Sequence, residues 1–274
     1  MTTVSNDTKA MVDKLFATGA HYGYSKARRH PSAQKFIFGA KNGVDIFDLE
    51  KSVEALADVE SYVKGLAQVG KQILFVGGKL EAQGAIRRAG EAIDQPFVAG
   101  RYVGGTLSNF ALIRKRVEKL MTLMDEREKG TLVKYTKKER LMIDRDIKRL
   151  ETTFGGLRPM RSLPGAVFVV DPKHEKNVVR EAMTLRIPII ALANSDCDVS
   201  KIAHVIPGND ASVHSIAFFV DRLVESYREG AKDAPKIVVP EAPRSRTRDD
   251  APHSRAPRRE RALGRSQTGE APRA

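Results

Sequence analysis

Five short apolar runs, each ending on a turn-forming residue and separated by stretches with helical spacing, restrict what this chain can fold into. Gln72 to Val76 stops at Gly77-Gly78, and Ala166 to Val170 stops at Asp171. Ile189 to Ala193 stops near Asn194, His204 to Ile206 stops at Pro207-Gly208, and Pro96 to Ala99 is a further short run. Between them, Asp48 can cap a helix through about Val69, with Val53, Leu56, Val59, Val63 and Leu66 on one face and Gly70 as its stop. Leu80 to Ile93, Glu175 to Leu185 and Ala211 to Glu229 are also helical in pattern. Alternating strands and helices are the signature of a doubly wound parallel sheet covered by helices, an α/β fold.

The alternation is interrupted between Asn109 and Phe154. Ile113, Val117, Leu120 and Met124 are spaced as a heptad seam, and Ile143, Ile147, Leu150 and Phe154 repeat the spacing. With Gly130 as the turn, the segment 109–154 is expected to fold back as an inserted antiparallel coiled-coil hairpin projecting from the sheet, its seams packing on each other. It carries thirteen Lys or Arg against eight Asp or Glu, which suits either an RNA-facing surface or a solvated helix face. An α/β domain over residues 1–232 is expected to contain this insertion. From 233 to 274 the composition turns to Pro, Arg, Ala and Ser, too polar to offset chain entropy, and this basic tail is expected to be disordered.

Charge narrows the class of partner. The net charge is +13, and although nine Arg stand against four acidic residues in 244–274, the rest of the chain is basic as well. Lys14 to Val44 holds Lys14, Lys26, Arg28, Arg29, Lys35 and Lys41 without one Asp or Glu. Phe16, Tyr22, Tyr24, Phe36 and Phe38 are interleaved, a mixture that suits a phosphate backbone and unstacked bases. A solvated basic loop beside core aromatics would look the same.

No catalytic or cofactor site is legible. Phe75-Val76-Gly77-Gly78-Lys79 sits where doubly wound folds hold phosphates, but Ile73 stands where a P-loop needs Gly and Leu80 where it needs Ser or Thr. No G-x-G-x-x-G starts at Gly77 or Gly78. The six histidines show no zinc spacing, and Asp171, Asp196, Asp198 and Asp210 near strand ends suit caps and turns better than a cation. The one cysteine, Cys197, suggests a buried thiol. No metal, cofactor or catalytic residue is therefore expected. The chain has no apolar run long enough to span a bilayer, and Met1 to Val12 lacks a leader pattern, so a cytoplasmic protein is expected.

Two Gly-rich elements bracket the hairpin. Arg101-Tyr102-Val103-Gly104-Gly105-Thr106-Leu107-Ser108-Asn109 precedes it, offering charge, stacking and close backbone approach to a partner. Gly155-Gly156-Leu157-Arg158-Pro159-Met160-Arg161 follows it. A structural exit and return would need the same glycines.

With these elements in order, the chain resembles the S-two family of bacterial small-subunit ribosomal proteins over nearly all of residues 8–230. The resemblance is carried by Gly19-Ala20-His21-Tyr22-Gly23, Lys35-Phe36-Ile37-Phe38-Gly39-Ala40-Lys41-Asn42, Asp48-Leu49-Glu50-Lys51, Gly104 to Asn109, Leu163-Pro164-Gly165-Ala166 and Val205-Ile206-Pro207-Gly208-Asn209-Asp210. Tyr24, Tyr102 and Cys197 depart from the usual His, Trp and Pro. The resemblance implies a flavodoxin-like sheet with the coiled-coil insertion and a structural role in assembly and translation. It also implies binding to small-subunit ribosomal RNA between head and body. Other small-subunit proteins, the S-one protein among them, are implied as partners, without homo-oligomerisation or a membrane. Lys26, Arg28, Arg29, His30, Lys35, Lys41, Arg101, Tyr102, Asn109, Arg158 and Arg161 are the residues expected to meet RNA.

Overall fold

All five apolar runs become strands, and the computed structural model, which describes residues 6–233, adds an element ahead of them that the spacing does not announce. Helix α1 (Asn6–Ala17) is followed by three short strands, β1 (Tyr22–Ser25), β2 (Ile37–Lys41) and β3 (Val44–Phe47), paired antiparallel in the order β1-β3-β2. The β2–β3 turn is Asn42-Gly43, with φ of 55° and 79°. Positive φ at both centres is what a tight hairpin of twisted strands requires, and Asn-Gly supplies it with least strain.

Helix α2 (Leu49–Gln68) begins where Asp48 accepts from the Glu50 amide at 3.2 Å, and Gly70, with φ 70°, follows its end. The chain then runs β4 (Ile73–Gly77), α3 (Leu80–Ala92), β5 (Phe97–Ala99), α4 (Phe110–Glu128), α5 (Lys137–Phe154), β6 (Ala166–Val170), α6 (Lys176–Thr184), β7 (Ile189–Ala193), β8 (His204–Pro207) and α7 (Val213–Lys232). Five strands form one parallel sheet in the order β5-β4-β6-β7-β8. Counted within the sheet this is 2-1-3-4-5, the flavodoxin-like order.

Alternation along the strands divides two cores. Ile73, Phe75, Phe168, Ile190 and Ile206 pack under residues of α2, α3 and α7, while Leu74, Val76, Val167, Val169 and Ala191 face α6 and the base of α4. At roughly 1.5–3 kcal/mol for each large apolar side chain taken from water, these layers dominate the fold. Close approach explains Gly77: a Cβ there would meet the Ile86 side chain at 2.8 Å.

Helices α4 and α5 fold back on each other around Gly130, whose φ is 69°, and Thr136 and Glu139 form a reciprocal capping box at the start of α5. Leu120 and Ile147 are fully buried. One expectation is corrected at the base. Ile113 and Val117 do not pack only across the hairpin; with Phe110 and Phe154 they belong to the second core of the sheet. The tail expected from 233 onward lies, after Asp233, outside the described residues. Among the described residues, no helix is long and apolar enough to cross a membrane.

Candidate nucleic-acid interface

In an open α/β sheet, ligands settle outside the carboxyl ends of the strands where the order reverses. Here that crevice is filled by the protein itself. Lys79, just beyond β4, reaches Asp171 after β6 and Asp210 after β8, with its Nζ 2.6 Å from a carboxylate oxygen of each. Asn194 Nδ2 donates to Asp210 at 2.7 Å, and Lys79 also donates to the Tyr24 hydroxyl at 3.3 Å. Where a nucleotide phosphate would seek the first amides of α3, the Gly78 N–H already donates to Glu175 at 3.1 Å.

Electrostatics follow from this geometry. Burial pulls the Lys79 ammonium down, but Asp210 and Asp171 outweigh it and hold the pKa well above the ordinary lysine value. Asp171 is opposed by burial yet held below its usual range by Lys79. One ammonium serves two carboxylates, and burial leaves Asp210, the more enclosed, raised. Asp171 is also a turn residue, accepting from the amides of Lys173 and His174. Asp196 pairs with Lys173 at 2.8 Å, and Asp198 accepts from Ser200. Buried Cys197 has its thiol pushed up by desolvation and by Asp171.

The basic segment is docked on this crevice. The Tyr24 amide donates to Ser195 Oγ at 3.0 Å and the His30 amide to the Ser195 carbonyl at 2.8 Å. From that anchorage Lys26, Arg28, Lys35 and Lys41 reach solvent, Arg28 over the Tyr24 ring and Lys35 over Phe36. Arg29 differs. Its Nε donates to Asp45 at 2.9 Å, a second nitrogen meets the other Asp45 oxygen, and a third donates to Gln34. Asp45 is fully buried, so this pair is internal and the guanidinium is occupied. His30 is partly exposed, with Nδ1 2.8 Å from Ser32 Oγ. Of the interleaved aromatics, Phe16, Tyr22 and Phe38 are exposed, and Tyr24 and Phe36 are half-buried.

The loop before the hairpin also turns inward. Glu181, from α6, accepts from the amides of Gly105 (2.6 Å), Leu107 (3.0 Å) and Ser108 (3.1 Å) and from the Tyr102 hydroxyl (3.1 Å). Burial opposes ionisation of Glu181, but these donors prevail and hold its carboxyl below the usual range. The Tyr102 phenol is raised, by burial first and then by Glu181. Tyr102 is thus a buried internal ligand, while Arg101 and Asn109 remain exposed. Arg101 and Arg158 line one cleft of about 590 Å³ beside edge strand β5, Arg158 holding Glu151 at 3.1 Å. Arg161 is exposed outside that cleft. Glu181 was missed by sequence reasoning, and its only signal was an acidic residue on an otherwise ordinary amphipathic helix.

A flavodoxin-like sheet whose strand-end crevice is filled by its own side chains, with a basic segment docked on it, defines the class: a flavodoxin-like α/β protein. In comparison with known proteins, the family described as Ribosomal protein S2 matches residues 15–230. A small ribosomal subunit protein uS2 of Solidesulfovibrio magneticus is 36% identical over 239 residues, 87% of this chain and 92% of the relative. The uS2 proteins of Geotalea uraniireducens (36% over 219 residues, 80% and 86%) and Roseiflexus castenholzii (39% over 216 residues, 79% and 82%) are similar to it as well. The chain belongs to the Ribosomal protein S2 family, a structural ribosomal family and not an enzyme family.

Proposed function

We propose that this chain is an RNA-binding structural constituent of the small ribosomal subunit, seated on small-subunit ribosomal RNA between head and body and supporting assembly and translation. The observation that carries the proposal is the docked segment, in which Lys26, Arg28, Lys35 and Lys41 are exposed on a backbone pinned to the sheet. Such a surface meets phosphates without first being ordered. Arg101, Asn109, Arg158, Arg161 and His30 complete the contact set, and Arg29 and Tyr102 support it from inside. In this reading α4 and α5 form a coiled-coil hairpin that adds a second surface, other small-subunit proteins including S-one are neighbours, and the chain acts as a single copy in the cytoplasm. The test is co-sedimentation with small subunits through a high-salt wash, paired with RNA affinity measured over a salt series. Binding that scarcely changes with salt overturns the proposal.

A further inference from the structure

Asn42 is the only one of the six asparagines that glycine follows. The pair forms the turn between β2 and β3, with φ of 55° and 79°, and both residues are exposed. Among the described residues, no hydrogen bond occupies the Asn42 carboxamide, and the Gly43 N–H donates to no acceptor. A Cβ added at Gly43 would meet nothing within 4 Å, so the space beside its backbone is open. Two other asparagines are held on both polar atoms. Asn194 is buried, its Nδ2 donating to Asp210 at 2.7 Å and its Oδ1 accepting from the Ser195 amide. Asn209 donates to the Gly19 carbonyl at 3.0 Å and accepts from the Ala211 amide. The exposed turn also ties down the docked segment. The Gly43 carbonyl accepts from the Lys26 amide at 2.9 Å, and Val44 pairs with Ser25. From Lys14 to Val44, the window that holds both Lys26 and Lys41, there is no acidic side chain.

We propose that Asn42-Gly43 is a site of spontaneous covalent modification, deamidation through a cyclic imide, which loosens the docked segment and places an anion within it. Glycine has no Cβ to obstruct approach of its backbone nitrogen to the preceding side chain. In the first step that nitrogen gives its proton to water and bonds to Asn42 Cγ. The Cγ–Nδ2 bond breaks, and the departing nitrogen leaves as ammonia. Water then opens the imide in one of two ways. Breaking the new N–Cγ bond leaves an aspartyl residue at position 42, whereas breaking the original peptide bond leaves an isoaspartyl residue, whose main chain runs through Cβ and Cγ. Either product carries a carboxylate among the cations. The isoaspartyl form also lengthens a tight turn that accepts few dihedral pairs, and so carries the Gly43 carbonyl away from the Lys26 amide. The effect on RNA rests on the ribosomal-RNA reading, and the modification itself does not.

The test ages the full chain at mildly alkaline pH beside a synthetic peptide of residues 37–51, with tryptic mass mapping and enzymatic methylation of isoaspartyl carboxyls as readouts. Asn42 is expected to convert before Asn194 and Asn209, at a rate within about tenfold of the free peptide, because an exposed turn opens locally at little cost. In the aged chain the Lys26 amide is expected to exchange hydrogen faster. Its affinity for a small-subunit ribosomal RNA transcript is expected to fall, with a log–log salt slope flatter by about 0.7–0.9, the equivalent of one phosphate contact. Asn42→Asp is expected to reproduce the flatter slope without the faster exchange. Asn42→Gly keeps a residue that accepts positive φ, removes the carboxamide, and is expected to age with no change in either. Conversion first at Asn194 or Asn209, or an Asn42 that stays intact while the peptide converts, overturns the site. Conversion at Asn42 with Lys26 exchange unchanged overturns the loosening, and an unchanged slope overturns the effect of the anion. Salt-independent binding by the fresh chain overturns the ribosomal-RNA reading and leaves the modification site standing.

Discussion

The carboxylate of Glu181 on α6 accepts the amide of Gly105 at 2.6 Å, closing the Gly-rich loop onto that helix. Three further donors, the amides of Leu107 and Ser108 and the Tyr102 hydroxyl, converge on the same side chain. The loop therefore behaves as an internal anion nest whose anion is part of the protein.

Glu181→Gln keeps the shape of the side chain but removes the charge. It is expected to destabilise the fold at neutral pH by about 1.5–3 kcal/mol, the range of hydrogen bonds to a charged group. Because the folded pKa of Glu181 is lowered, its contribution is complete above the unfolded value of about 4.3 and is lost as pH falls through the folded value. Urea unfolding of the two proteins between pH 7 and pH 3 should show a gap that narrows toward the acid end. A constant gap would show that the carboxylate charge is not what holds the loop.

Lys79→Met leaves Asp171 and Asp210 facing each other without their cation. Breaking such a buried arrangement from one side costs about 3–5 kcal/mol, and adding Asp171→Asn and Asp210→Asn is expected to recover part of the loss. Chemical denaturation measures both steps. The unaltered protein is expected to hydrolyse neither ATP nor GTP above background, and turnover abolished by Lys79→Ala would contradict its structural role.

Neighbouring arginines are expected to behave differently. Replacing Lys26, Arg28 and Lys35 together by Ala should weaken RNA association with little change in melting temperature, since all three are exposed. Arg29→Ala should instead destabilise the fold by about 3–5 kcal/mol by stranding Asp45 in the interior. Calorimetry with RNA-binding assays on the same samples separates the two effects.

The hairpin should divide near Leu120. Replacing 121–143 with a short Gly/Ser linker is expected to leave amide protection in β4 and β6 intact. Removing all of 109–154 strips Ile113 and Val117 from the second core and is expected to expose the face carrying Leu74 and Val169. Hydrogen exchange on both variants decides this, and equal protection in the two would show that the hairpin base is dispensable.

The parallel sheet was legible because its strands are fully buried and end on residues that break pairing: Ala166–Val170 and Ile189–Ala193 match the structure residue for residue. The small antiparallel sheet was not, since strands of four or five residues such as β1 and β3 carry too little alternation to stand out from a loop, although Asn42-Gly43 was a hairpin signal. At the candidate site, exposure of Lys26 and Lys35 followed from local composition. The fate of Arg29 did not, because Asp45 lies sixteen residues away and only the β1–β3 pairing brings it into reach. The bond between Tyr102 and Glu181, 79 residues apart, was not legible for the same reason, that only the tertiary fold brings the two together.

The bonds from Tyr24 and His30 to Ser195 give the basic segment a thermodynamic character that its charge alone does not. A free chain with the same lysines and arginines loses roughly 1–2 kcal/mol of backbone freedom for each residue it orders on a partner. Residues 24–30 have already surrendered that freedom during folding. In the proposed contact with RNA, their encounter with the polyanion is accordingly expected to be a docking of two preset shapes, with selectivity for the spacing of phosphates rather than for their number.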